Sequence, residues 1–187
     1  CMPNLIIMAP KDENELRQML RAALYCGHPV ALRYPRGNGL GVPQPTPIPT
    51  LPMGKGELLR EGGDLLFAAL GTMVEPARKL AERLSGEGIS CSVVNARFLK
   101  PLDADLLCAW AGRTRGVVTF EEGCAPGGFG SAVAELLADR GLPRPLLRCA
   151  IADHLVPHGD QKRLLDEEGL GPEPLHARVS AFAKGLD

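Results

Sequence analysis

Two arginines bracket the short segment Arg33-Tyr34-Pro35-Arg36-Gly37, at the end of a strand-like run. A guanidinium is a planar fork of donors that matches two oxygens of a phosphate or carboxylate. Pro35 and Gly37 shape the backbone between and after them. Arg36 is therefore a candidate phosphate ligand. The competing reading is a surface arginine in a domain linker, and charge logic alone does not choose between the two.

A second candidate is Glu121-Glu122-Gly123-Cys124-Ala125-Pro126-Gly127-Gly128-Phe129-Gly130-Ser131, which follows a strand and opens a helix. Free amides at a helix start attract anions, and glycines allow a phosphate close approach. The run has neither GxGxxG spacing nor the Lys-Ser or Lys-Thr of a Walker loop. Two carboxylates precede it and oppose an anion. A tight turn that packs a helix on a sheet is the preferred reading; an anion site stays open. Cys124 reads as a loop residue, with a reactive thiol near a helix start as the alternative. His28, His154, His158 and His176 stand apart in sequence. His154 and His158 follow the last strand, at the end of a parallel sheet where ligands tend to bind, but spacing assigns neither a role.

The elements that must position these groups fall into three stretches. Residues 1–37 give a strand (Leu5 to Met8), a helix and a second strand (Val30 to Tyr34). Asp12 and Glu15 form a capping box for that helix, and Leu16, Met19, Leu20, Ala23 and Leu24 give it one apolar face. Such a piece cannot close a core and reads as the tail of an α/β domain. Cys1-Met2-Pro3 runs almost at once into a strand, as expected of the interior of a longer protein. Residues 38–53 carry prolines at 43, 45, 47, 49 and 52. They read as a semi-rigid connector of extended geometry, with a long surface loop as the alternative.

From 54 to 187 strands alternate with helices, which predicts an α/β domain: a mostly parallel sheet with helices on both faces. Glu57 to Arg60 and Asp64 to Ala69 read as strands around the Gly62-Gly63 turn, the first free to run antiparallel at an edge. Thr72 and Glu75 suggest a second capping box, opening a helix with Val74, Ala77, Leu80, Ala81 and Leu84 on one face. Further strands are expected at Ile89 to Val94, Val117 to Phe120 and Leu146 to Ile151. Further helices are expected from Pro101, over Ser131 to Arg140, over Gln161 to Glu168 and over Pro174 to Ala183.

Composition narrows the function classes. Of the 187 residues 45% are hydrophobic and 23% charged, a globular balance, and with only 4% aromatics the core must be aliphatic. A net charge of −1 offers no basic excess for nucleic acid or anionic membrane. The longest apolar runs are too short for a membrane span or a signal core. The six cysteines include no CxxC pair, so neither a metal site nor a disulfide framework is expected, and a reducing, cytoplasmic setting is. Cys91, Cys108 and Cys149 fit as small hydrophobes within apolar patterns.

Beyond these patterns, several motifs carry a resemblance. They are Cys1-Met2-Pro3-Asn4, Ile7-Met8-Ala9-Pro10, Asp12-Glu13-Asn14-Glu15 and Arg33-Tyr34-Pro35-Arg36-Gly37. Later come Leu51-Pro52-Met53-Gly54-Lys55-Gly56, Asn95 through Asp103, Thr119-Phe120-Glu121-Glu122, Gly127 through Ser131 and Asp153 through Gly159. In order and across the whole chain they resemble the 1-deoxy-D-xylulose-5-phosphate synthase family of transketolase-like, thiamine-diphosphate enzymes. Several of the motifs are shared with transketolases and 2-oxoacid dehydrogenase β subunits.

The resemblance implies a three-domain, homodimeric enzyme. Residues 1–37 would end its pyrimidine-binding domain, 38–53 would be the Pro-rich linker and 54–187 the transketolase C-terminal domain. It implies condensation of pyruvate with D-glyceraldehyde 3-phosphate and loss of CO2, the first step of non-mevalonate isoprenoid synthesis. Thiamine diphosphate and Mg2+ serve the full-length enzyme and supply the electron sink. Arg36 matches the arginine that holds the aldehyde's phosphate; Arg33 receives no such role. The family's catalytic Glu, Gly-Asp-Gly and His-Gln-Gly motifs find no match in the chain. No catalytic residue, metal ligand or bound cofactor is therefore expected in it, and activity of the chain alone is not expected. The rival readings are a β-subunit fragment of a 2-oxoacid dehydrogenase and a non-catalytic interaction module. An arginine placed for a substrate phosphate argues against the first.

Overall fold

The computed structural model describes residues 2–186; Cys1 and Asp187, the outer ends of the expected spans 1–37 and 54–187, lie outside the described residues. The order is β1 (Ile6–Met8), α1 (Glu13–Tyr25), β2 (Val30–Leu32), β3 (Glu57–Arg60), β4 (Leu65–Ala69), a 3-10 turn (Gly71–Met73) and α2 (Val74–Gly86). Then follow β5 (Cys91–Asn95), β6 (Phe98–Lys100), α3 (Ala104–Ala111), β7 (Gly116–Cys124), α4 (Phe129–Asp139), β8 (Leu146–Ile151), α5 (Gln161–Glu167) and α6 (Pro172–Lys184).

The larger sheet has strand order β3-β5-β4-β7-β8. The pairs β4–β5, β4–β7 and β7–β8 are parallel, and β3 runs antiparallel to β5 at the edge. Because side chains alternate along a strand, β4 feeds two cores. Leu65, Phe67 and Ala69 pack with α2 and α6 on one face. Leu66 and Ala68 pack with α3 and α4 on the other. This is the expected α/β class, helices on both faces included. The residues expected on the inner face of α2 (Val74, Ala77, Leu80, Ala81 and Leu84) are all buried.

The strands read on either side of Gly62-Gly63 are both present, and the edge strand β3 pairs with β5. Two local readings change. The Thr72–Glu75 capping box does not form. Gly71, at φ +61°, starts a 3-10 turn, and α2 begins only at Val74 without a side-chain cap. Glu75 pairs with Arg78 at 2.8 Å instead, and the buried Thr72 hydroxyl has no hydrogen-bond partner among the described residues. The apolar face of α1 is only half covered: Met19 is buried, but Leu20 and Leu24 are 49% and 80% exposed.

The second sheet, β2-β1-β6, was not foreseen. β1 pairs in parallel with β2 and antiparallel with β6, a strand contributed from between β5 and α3. Met8, Met19, Leu51 and Phe98 close a small third core there. Residues 38–53 lie along α1: Arg21 donates to the Ile48 carbonyl, Arg17 to Gln44, and Leu51 is buried.

The junction is fixed by a buried carboxylate. Glu15 is 1% exposed. It accepts from Asn95 Nδ2 at 2.9 Å, Arg97 Nε at 2.7 Å, Lys11 Nζ at 3.3 Å and the Lys11 amide at 2.8 Å. Half of the expected capping box is present, since Asp12 accepts from the Glu15 amide at 2.7 Å. The returning carboxylate meets the amide of Lys11, not that of Asp12, and reaches across to the second unit. Arg97 sits at φ 60°, a left-handed conformation that carries strain for a non-glycine residue. Its fork also reaches Glu57 at 2.9 Å, and Glu57 receives Lys11 Nζ at 3.1 Å. Burial pushes the Glu57 carboxyl up, but Lys11 and Arg97 outweigh it and hold it below the ordinary glutamate range. Burial likewise pushes Lys11 down, and the carboxylates of Glu15, Glu57 and Asp12 outweigh it and raise it.

Glu15→Ala should therefore lower stability by about 3–5 kcal/mol, the usual effect of orphaning a buried ionic partner, read as a urea midpoint shift. A change under about 1 kcal/mol would mean the network is incidental. The pH profile should be a plateau. The part due to Glu57 is present above the ordinary glutamate value and disappears as pH falls through its lower folded one. The part due to Lys11 is present below the ordinary lysine value and disappears as pH rises through its higher folded one. A chain shortened to begin near Leu51 should still unfold in one cooperative transition, because both faces of the larger sheet keep their helices. Loss of cooperativity would refute 54–187 as a unit.

Candidate functional site

A cleft of about 750 Å³ opens where the N-terminal piece meets α2, β7, α5 and α6. One wall is Pro10 through Glu13 together with Tyr34 through Leu40; the other includes Thr72, Glu75, Lys79, Arg83, Glu122, Lys162 and Asp166. The segment after β2 enters this cleft without regular secondary structure.

The two arginines of that segment have different fates. Arg33 donates through Nη2 to Glu122 at 2.9 Å, and its amide donates to the Met8 carbonyl at 2.9 Å. The Glu122 side chain is 8% exposed, so this pair pins the end of β2 to β7. Arg36 is exposed, lines the cleft and has no hydrogen bond or ion pair among the described residues. Lys11, Lys79 and Arg83, in the same cleft, all face carboxylates, whereas Lys162 on the opposite wall shares with Arg36 the lack of a side-chain partner among the described residues. A guanidinium left unpaired beside a concave surface is available to an anion with two oxygens.

The glycine-rich loop is already satisfied from within. Glu121, 5% exposed, accepts from the amides of Phe129 at 2.8 Å and Gly130 at 2.7 Å. The first turn of α4 therefore holds an internal anion at its positive end. A Cβ on Gly128 would lie 2.3 Å from the Cys124 carbonyl oxygen and 2.5 Å from the Glu121 carboxylate, so glycine is required there for the loop to close over the carboxylate. The preferred reading of a packing turn agrees with this geometry. The signal was the pair of glutamates before the loop: one turns inward to cap α4 and the other holds Arg33.

The remaining candidates are not brought together. Cys124 is exposed, and its thiol approaches the Ala152 carbonyl at 3.9 Å and Asp153 at 3.8 Å. Partial desolvation, then the Asp153 carboxylate, raises its pKa, which disfavours a reactive thiolate. Burial pushes Cys91 up to about 12 and Cys149 up to about 11, as suits small hydrophobes. His154 pairs with Glu168 at 2.8 Å and His176 with Glu87 at 2.7 Å, while His28 and His158 are exposed. Among the described residues no three His, Cys, Asp or Glu side chains gather where they could hold a metal ion. These residues therefore do not fit a Mg2+–diphosphate site, and no chemical step is assigned through one. Among them, too, no helix is long and apolar enough to cross a membrane.

A model of the family "Transketolase, C-terminal domain" matches residues 54–175. The chain belongs to that family. It is 49% identical over 183 residues, 97% of its length, to the 1-deoxy-D-xylulose-5-phosphate synthase of Thermomicrobium roseum, of which it covers 29%. It is 52% identical over 172 residues, 91% of its length, to that of Gloeothece citriformis, of which it covers 27%. The chain thus spans less than a third of the length of these relatives, and the resemblance drawn from its motifs is borne out. A solved structure described as "Split gene transketolase, inactive beta4 tetramer" superposes with a TM-score of 0.84 at 35% identity, covering 96% of this chain and 57% of that one.

Two consequences of the internal cap can be measured. Glu121→Ala should destabilise the chain by about 2–4 kcal/mol, since two buried amides lose a charged acceptor. Titrating inorganic phosphate into the unaltered chain should leave the Phe129 and Gly130 amide resonances in place. Saturable shifts of both at millimolar phosphate would reinstate the loop as an anion site.

Proposed function

We propose that this chain is the C-terminal part of a synthase that condenses pyruvate with D-glyceraldehyde 3-phosphate to give 1-deoxy-D-xylulose 5-phosphate and CO2, and that Arg36 anchors the phosphate of the aldehyde. The observation that carries the role of Arg36 is the contrast within its own segment. Arg33 is consumed by Glu122, whereas Arg36 keeps an unpartnered fork at the cleft. The high identity to named synthases supports the reaction.

Thiamine diphosphate and Mg2+ belong to this reading as groups of the full-length enzyme, held by other parts of it, and the cofactor supplies the electron sink when bound. The residues here contribute binding and position. The chain alone is expected to be inactive, and the description of the structural neighbour as an inactive tetramer is consistent with that. A homodimer in the cytoplasm completes the reading. The exposed Leu20, Leu24 and Tyr25 of α1 supply apolar surface that association could cover.

The decisive measurement is made in the intact synthase carrying these residues. Arg36→Ala should raise KM for glyceraldehyde 3-phosphate far more than KM for pyruvate. A charge-assisted pair of about 2–3 kcal/mol corresponds to roughly 30- to 150-fold in kcat/KM for the aldehyde. Arg36→Lys should recover only part, because a point charge replaces a fork. Glyceraldehyde without its phosphate should be affected much less. Equal losses for the two aldehydes would make Arg36 a structural residue at a strand end.

A further inference from the structure

Among the described residues Arg36 has no side-chain partner, so its position is set by its backbone. That backbone is held at two places. Upstream, Arg33 is tied to Glu122 and to the Met8 carbonyl. Downstream, the amides of Leu40, Gly41 and Val42 all donate to one carboxylate, that of Glu13, at 2.9, 2.6 and 2.8 Å.

Glu13 stands in the first turn of α1, where an acidic side chain ordinarily serves its own helix. Here it spends both oxygens on a segment 27 to 29 residues away. The intervening sequence is built around it. A Cβ on Gly39 would lie 2.7 Å from the Glu13 carboxyl carbon, and Gly41 adopts φ +79°. Three successive amides turned onto one acceptor form a concave anion nest, occupied by a side chain of the same chain. Donation from its own amide holds the Glu13 carboxyl below the ordinary range; partial desolvation opposes this, and the Leu40, Val42 and Gly41 amides add to it.

We propose that Glu13 is a positioning residue: it clamps the strap that follows Arg36 and thereby holds the Arg36 guanidinium where a substrate phosphate can be met. The proposal rests on the reading of Arg36 as the phosphate ligand. Glu13 touches no substrate in it. A clamp of this kind favours the phosphorylated aldehyde by pre-ordering the loop that carries its anchor.

The test is a double-mutant cycle in the intact synthase, with Glu13→Ala and Arg36→Ala made singly and together. Glu13→Ala should raise KM for glyceraldehyde 3-phosphate about tenfold and leave KM for pyruvate and kcat within about twofold. In the Arg36→Ala background it should add less than about twofold, because its effect passes through Arg36. Glu13→Gln, which keeps one acceptor oxygen, should fall between. Gly39→Ala should give the same KM split by intrusion on the clamp, and it decides the matter if circular dichroism shows Glu13→Ala to be unfolded. Equal effects of Glu13→Ala in the two backgrounds, or equal effects on glyceraldehyde and its phosphate, would overturn the proposal. If Arg36→Ala separates the two aldehydes and neither Glu13→Ala nor Gly39→Ala does, only the role of Glu13 falls. If Arg36→Ala fails to separate them, the reading of Arg36 falls first and the clamp with it.

Discussion

The constraint on which the molecule depends is the burial of the Glu15 carboxylate. A charge this far from water must be met by donors on every side, and they come from both halves of the chain. Asn95 ends β5 and Arg97 lies in the turn between β5 and β6; Lys11 belongs to the approach to α1. The network therefore fixes where α1 begins relative to the larger sheet. It also explains why Arg97 tolerates a left-handed backbone. With its carbonyl accepting from the Ala9 amide and its fork on Glu15 and Glu57, the local strain is outweighed by several charge-assisted bonds.

Carboxylates are used in the same way elsewhere. Glu121 caps α4, Glu122 holds Arg33 and Glu13 gathers the strap. Asp103 caps α3 and also receives the Gly56 amide at 3.0 Å, joining the start of the second unit to α3. Each of these acids satisfies backbone amides or a guanidinium inside the protein, which removes both partners from the pool that could meet a ligand. With the acids so committed, the unpaired cation of the strand-end segment stands out. The case for Arg36 comes as much from what its neighbours already hold as from its own surroundings.

How much of this was legible in the sequence follows from the range of the interactions. The α/β class and the inner face of α2 follow from periodicity, a local property, and appear as read. The edge position of β3 was allowed by its place before the alternation. β6 was missed because three residues, Phe98–Lys100, carry no period and form a strand only by pairing with β1, about ninety residues upstream. The Thr72–Glu75 motif misled because Gly71 first turns the chain into a 3-10 turn, which puts Thr72 ahead of the helix instead of at its cap. Glu15 reads as the capping-box partner of Asp12, and Glu13 enters only as a member of the motif Asp12-Glu13-Asn14-Glu15. That both carboxylates leave their own helix, one for the strap and one for the β5–β6 turn, is a tertiary fact with no local signature. The exposure of Leu20 and Leu24 shows the same limit: period 3.6 marks an apolar face but does not say what covers it.

These features form one chain of mechanical dependence that ends at the cleft. The β5–β6 turn holds Glu15, and Glu15 sets the first turn of α1. Glu13, two residues earlier in that turn, points to the strap and sets Leu40 through Val42. The strap, with the Arg33–Glu122 pair on its other side, sets Arg36. Because β5 and β7 are neighbours of β4 in one sheet, the Asn95 and Glu122 ends of this circuit share a rigid frame. A guanidinium on an irregular segment would ordinarily lose binding energy to loop entropy. Here the segment is short, tied at one end to the sheet through Glu122 and at the other to Glu13 of α1, and needs no contact of its own to be ordered. That leaves all the donors of Arg36 for an incoming anion.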